Sequence, residues 1–132
     1  MKNLIPIILV FLTLSGCGSR DEPAETSAPA PMRISHAEAL EMIEQGDVII
    51  LDVRSLSEFM EGHIENAVSL PLEQIGNYAE SAIPDKDQTI LVYCRSGNRS
   101  RTASYELIAL GYTRVYDFGG INGWPGSIVV PD

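Results

Sequence analysis

Two apolar runs constrain this chain more than any other feature: VIILDV at residues 48–53 and TILVYC at residues 89–94. Each is continuous rather than alternating and rich in β-branched side chains, the pattern of a strand covered on both faces. Such strands belong to a parallel sheet packed between helices. The helical signals are present: Ser35, His36, Ala37 and Glu38 form a capping box opening a helix with Ala37, Leu40 and Ile43 on one side, and Gly46 stops it. Further helical stretches lie near residues 71–81 and 101–110, the second closed by Gly111, with weaker strand signals at 67–70 and 115–118. Strands separated by helices require right-handed crossovers. The expected fold is α/β: a single domain over residues 32–132, with a mainly parallel sheet and helices on both faces. A chain of 132 residues has room for one such core.

Ahead of that domain, Lys2 precedes the apolar run LIPIILVFLTL at residues 4–14, and LSGC at 14–17 puts small residues before Cys17. The run is shorter than the ~20 residues of a permanent membrane helix, and Pro6 disfavours a helix. It reads as a secretory signal. The tetrad resembles the lipobox of bacterial lipoproteins, whose cysteine is lipidated and becomes the first residue of the mature chain. The expected division is a lipoprotein signal peptide at 1–16, a lipidated Cys17 with a flexible tether at 17–31, and the domain beyond. Residues 18–31, GSRDEPAETSAPAP, offer no large apolar residue to bury and reach ~20 Å as a random coil. The lipid would hold the domain at the cell membrane or outer membrane, facing the periplasm or exterior. Gly18 rather than Asp after the cysteine favours the outer membrane by the same resemblance. Losing residues 1–16 removes Lys2 and no acid, so the net charge moves from −9 to −10. Such a surface repels nucleic acid.

That acidity isolates one basic cluster. CRSGNRS at 94–100, with Arg101 next, holds three of the nine basic residues of the chain. With Cys17 lipidated, Cys94 is the remaining thiol and no internal disulfide can form. An exported free thiol is a liability unless buried or used. A cysteine closing an apolar strand is often a small core residue, but the non-apolar residues after Cys94 mark a wet loop at the carboxyl end of a central strand, where α/β sheets bind ligands. Ser100 is placed to cap the following helix. A loop containing Gly97 and running into a helix N-terminus turns successive N–H groups inward as an anion nest. Helix N-termini and nearby arginines also favour thiolate over thiol. Cys94 is the expected nucleophile.

VIILDVRSLSEFMEGHIENAVSLP at 48–71, VYCRSGNRS at 92–100 and GGINGW at 119–124 resemble, in order and spacing, three signatures of the rhodanese (sulfurtransferase) family. The resemblance covers residues 32–132. It implies that Cys94 carries the transferred sulfur as a persulfide, cradled by the backbone of Arg95, Ser96, Gly97, Asn98, Arg99 and Ser100. Arg95 and Arg99 would bind a small anionic donor such as thiosulfate, or its departing sulfite. The acceptor would be cyanide, a thiol or a protein, and no cofactor is needed. Asp52, Arg54, Glu58 and His63 belong to the first signature and read as scaffold: a charge pair at a strand end, a second capping box from Ser55 to Glu58, and a structural histidine. His36 has no obvious partner. Phosphatases and arsenate reductases share the strand, cysteine loop and helix, but a phosphatase loop needs Arg where Ser100 stands. Two histidines and one free cysteine lack metal-ligand spacing. The alternative function is a non-catalytic persulfide carrier or docking module for another exported protein.

Overall fold

The TILVYC run forms the middle strand. In the computed structural model, which describes residues 28–132, the elements run β1 (Met32–Arg33), α1 (His36–Gln45), β2 (Val48–Asp52), α2 (Leu56–Glu61), β3 (His63–Ile64), β4 (Val68–Ser69), a 3-10 turn (Leu72–Gln74), α3 (Ile75–Ala82), β5 (Thr89–Cys94), α4 (Asn98–Ala109), β6 (Arg114–Gly120) and β7 (Ile128–Val129). The signal peptide, Cys17 and most of the tether lie outside the described residues. Five strands form one sheet in the order β1-β6-β5-β2-β4, every neighbouring pair parallel. β3 and β7 pair antiparallel in a small second sheet, His63 opposite Val129 and Ile64 opposite Ile128. These two-residue strands, and β1, are too short to show a pattern in sequence.

Alternation along β5 explains its unbroken apolarity. Ile90, Val92 and Cys94 point to one side, into a core with Ile75 and Ala79 of α3 and Ala103 and Leu107 of α4. Leu91 and Tyr93 point to the other, against Ala39 of α1, Ile50 and Phe118. All five β5 residues from Ile90 to Cys94 are fully buried. Each large aliphatic side chain so enclosed contributes ~1.5–3 kcal/mol. A sheet with helices on both faces is the arrangement expected from sequence.

Two local expectations are corrected. The capping box of α1 forms, Glu38 N–H donating to Ser35 Oγ at 3.1 Å and Ser35 N–H to Glu38 Oε2 at 2.7 Å. Its buried residue, however, is Ala39 rather than Ala37. Ala39, Met42 and Ile43 follow the i, i+3, i+4 spacing and make the stripe that meets the sheet. Ser100 does not cap α4: Gly97 is the N-cap, at φ +104°, and the helix begins at Asn98. This left-handed glycine turns the chain tightly enough after β5 to start the helix early and place Ser100 in its first turn.

Candidate active site

β5 delivers Cys94 to the carboxyl edge of the sheet, and the turn at Gly97 brings its own N–H back to 3.0 Å from the Cys94 Sγ. A register shift between Val92 and Cys94, against β6, accompanies this approach and locally re-aims the strand end. The first turn of α4 leaves the N–H groups of Asn98, Arg99 and Ser100 without intrahelical partners. The positive end of a 12-residue helix therefore stands over the sulfur. Cys94, Gly97 and Ser100 are buried, while Arg95, Ser96 and Asn98 are exposed. The loop is wet on its outer side and the sulfur is covered.

β6 and the turn after it hold the loop from behind. Ser100 Oγ lies 2.8 Å from Asp117 Oδ1, 3.0 Å from the Gly97 carbonyl and 3.4 Å from the Gly119 carbonyl. A hydroxyl has one proton, and the carboxylate is its strongest acceptor. Ser100 thus offers the cradle its amide and not its side chain. The buried Asp117 also accepts the Gly119 N–H at 2.9 Å and faces Arg33 at 3.4 Å. The Ile121 N–H donates to the Cys94 carbonyl at 2.9 Å. A Cβ on Gly120 would stand 2.2 Å from the Arg95 carbonyl oxygen. Only glycine fits there.

The arginines have separate fates. Arg99 reaches α2 and grips Glu58 with both ends of its guanidinium, at 2.7 and 3.0 Å. The side chains are 33% and 23% exposed. Arg99, helped by Ser55, holds the Glu58 carboxyl down at about 2 against a smaller opposing effect of burial. The same bond raises Arg99 above its ordinary value, against a smaller opposing effect of burial. The Ser55 to Glu58 capping box is only half made: Ser55 Oγ accepts the Glu58 N–H, but the Glu58 carboxylate takes the Ser55 hydroxyl and Arg99 rather than the Ser55 N–H. Arg95 forms no ion pair among the described residues. With Arg54, Glu58, Glu61, Ile121 and Asn122 it lines a cleft of about 300 Å³. Arg101 is exposed on α4.

Beneath the cleft lies the charge pair expected at the end of β2. Arg54 contacts Asp52 through Nε at 3.1 Å and Nη2 at 2.7 Å, and Nη2 also donates to the Gly62 carbonyl at 2.7 Å. Burial opposes the Arg54 charge, yet Asp52 outweighs it and holds the guanidinium above its ordinary value. The Tyr93 hydroxyl donates to Asp52 Oδ2 at 2.5 Å and accepts the Ile64 N–H at 3.1 Å. Burial first, then Asp52, pushes this phenol well up. Both Asp52 oxygens and the Arg54 Nε and Nη2 are hydrogen-bonded, the support that a buried pair needs. His63 stacks on Phe59 with ring centres 3.7 Å apart, its Nδ1 3.1 Å from the Phe59 carbonyl. His36 does find a partner: its Nε2 lies 2.8 Å from the Gly120 carbonyl, so Nε2 carries the proton.

Sequence reasoning missed Asp117, the close approach at Gly120 and the engagement of Arg99 by Glu58. An acid inside a strand pattern, as in VYDFGG, was the available signal for Asp117. What the site offers chemically is a sulfur held by an N–H at a helix start, where negative charge is stabilised.

A family model described as Rhodanese-like domain matches residues 35–127. The thiosulfate sulfurtransferase GlpE of Coxiella burnetii is 38% identical over 93 residues, which cover 70% of this chain and 85% of that protein. The thiosulfate sulfurtransferase PspE of Escherichia coli is 35% identical over 71 residues, 54% of this chain and 68% of that protein. Among solved structures, a rhodanese with anions from E. coli is similar with a TM-score of 0.60 and 31% identity, over 63% of this chain and 98% of the other. A rhodanese-related protein from Thermoplasma volcanium gives 0.65 and 30%, over 76% and 99%.

Proposed function

Because the chain belongs to the rhodanese-like domain family and is a rhodanese-type enzyme, we propose that it moves sulfane sulfur from a donor such as thiosulfate to cyanide, a thiol or a protein through a persulfide on Cys94. The Cys94 thiolate attacks the outer sulfur of the donor. The donor S–S bond breaks, its electron pair leaving with sulfite, and the sulfur stays on Cys94 as a persulfide anion. The acceptor then attacks the terminal sulfur and releases Cys94 as thiolate. The observation carrying this reading is the Gly97 N–H at 3.0 Å from Sγ at the start of α4, a setting that stabilises both anionic forms of the sulfur. Arg95, exposed in the cleft beside the loop, meets the donor. The amides from Arg95 to Ser100 form the cradle, with Arg99 acting from within its pair to Glu58. Release of thiocyanate from thiosulfate and cyanide tests the reading: the wild type should turn over, and Cys94→Ser, whose hydroxyl cannot hold sulfane sulfur, should not. Turnover by Cys94→Ser equal to the wild type would contradict it.

The same proposal puts the domain on the exported side of a bacterial membrane. Residues 1–16 act as a lipoprotein signal, Cys17 carries the lipid, and residues 17–31 tether the domain to the cell membrane or outer membrane. Support comes from the residue pattern at Lys2, residues 4–14 and Cys17.

A further inference from the structure

Of the basic cluster that stands out in the sequence, Arg99 is neutralised in the fold, whereas Arg95 and Arg101 form no ion pair among the described residues. Arg54, Arg95 and Arg99 gather about the mouth of the site, and carboxylates meet two of them. Arg54 is paired with Asp52, Arg99 is gripped by Glu58, and Glu61 lines the same cleft as Arg95. Glu58 and Glu61 both come from α2, which places its acids against the cysteine loop. A mouth built to concentrate a dianion would carry a net positive field. Here two of the three charges are cancelled, and Arg95 is left as the cation that faces the cleft.

We propose that Glu58 is a specificity-determining residue that sets the charge of the donor, so that the site favours singly charged organic sulfane-sulfur donors over dianions such as thiosulfate. The inference rests on the sulfurtransferase reading above and narrows its substrate class. By occupying both ends of the Arg99 guanidinium, Glu58 removes the cation that would otherwise balance a second negative charge on the donor. The pair is neutral overall, so the attraction that Arg99 alone would exert, which grows with each unit of donor charge, is cancelled. Its carboxyl, held down at about 2 by Arg99, stays ionised throughout the neutral range. Chemistry at the reacting atoms is the same for both donor classes. With an alkyl thiosulfonate, Cys94 attacks the outer sulfur, the S–S bond breaks, and the electron pair leaves with a sulfinate in place of sulfite.

Thiosulfate and methanethiosulfonate therefore make a matched pair, alike in the transferred sulfur and one charge apart. The experiment measures kcat/KM for both, with cyanide as acceptor, on the full-length protein. Glu58→Gln should raise the ratio of thiosulfate to methanethiosulfonate by about tenfold, the effect of one unit charge several ångströms away in a partly hydrated cleft. Glu58→Asp keeps the charge and should keep the wild-type ratio. A ratio unmoved by Glu58→Gln, or moved equally by Glu58→Asp, would overturn the proposal by making the role geometric. Should Glu58→Gln not fold, Glu61→Gln on the exposed end of α2 should shift the ratio in the same direction by a smaller factor, and no shift there would overturn it. A wild-type protein charged by neither donor would overturn the sulfurtransferase reading itself, a result distinct from all of these.

Discussion

Arg95 and Arg99 look equivalent in CRSGNRS, yet the fold gives them different work. Arg99 is held by Glu58, whereas Arg95 is exposed beside the cleft. Replacing Arg95 by Ala should lower kcat/KM for thiosulfate by roughly 10- to 100-fold, the loss of one charge-assisted contact of ~1.5–3 kcal/mol, and lower it less for methanethiosulfonate. Equal losses for both donors in steady-state kinetics would assign Arg95 to loop structure instead. The Glu58 pair also links stability to pH. Its carboxyl lies at about 2 in the fold against 4.5 ordinarily. The stabilisation is therefore complete above 4.5 and is lost as pH falls from there to about 2. Because the pair is partly exposed, the loss is ~1 kcal/mol or less. Urea unfolding across that window should show it in the wild type and not in Glu58→Gln; identical pH profiles would place the pair outside the stability account. Cys94 stood out as the candidate nucleophile because its basic neighbours are adjacent in the chain. The partner of Arg99 did not, because Glu58 arrives from a different helix 41 residues away.

At the scale of elements, the two long strands read directly from VIILDV and TILVYC because burial on both faces leaves no polar position to confuse the pattern. Of the two-residue strands, β4 was signalled at 67–70, but β1, β3 and β7 were not, since two residues carry no period. The register between β6 and the cysteine loop was equally hidden. Gly120 in GGINGW is required by backbone packing, which shows only when β6 lies beside β5, and Gly119 by its φ of +85°. Gly120→Ala drives a methyl into the Arg95 carbonyl. Such overpacking should cost ~1–3 kcal/mol and displace the loop that carries the amides. Thermal unfolding should show the lower stability and persulfide formation at Cys94 should slow. An alanine variant as stable and as active as the wild type would mean that the loop yields freely at this point. Ser100 shows the same limit from the other side: it was expected as a helix cap, but Asp117 of β6 claims its hydroxyl.

Across the whole molecule, composition separates residues 1–31 from the rhodanese-like domain. Apolar and then Pro-, Ala- and acid-rich stretches give way to alternating strand and helix signals near residue 32. Cys17→Ala should abolish lipid labelling and move the protein out of the membrane fraction or leave it unprocessed; a mature wild-type chain beginning elsewhere and bearing no lipid would contradict the anchor. The strand end, loop and helix about Cys94 all lie between residues 89 and 109. The most direct test of the central claim is the intact mass of the protein after incubation with thiosulfate. The protein should gain one sulfur atom, located at Cys94 by peptide mapping and lost on adding cyanide. A folded protein with Cys94 free that gains no sulfur from thiosulfate, methanethiosulfonate or a low-molecular-weight persulfide would contradict it.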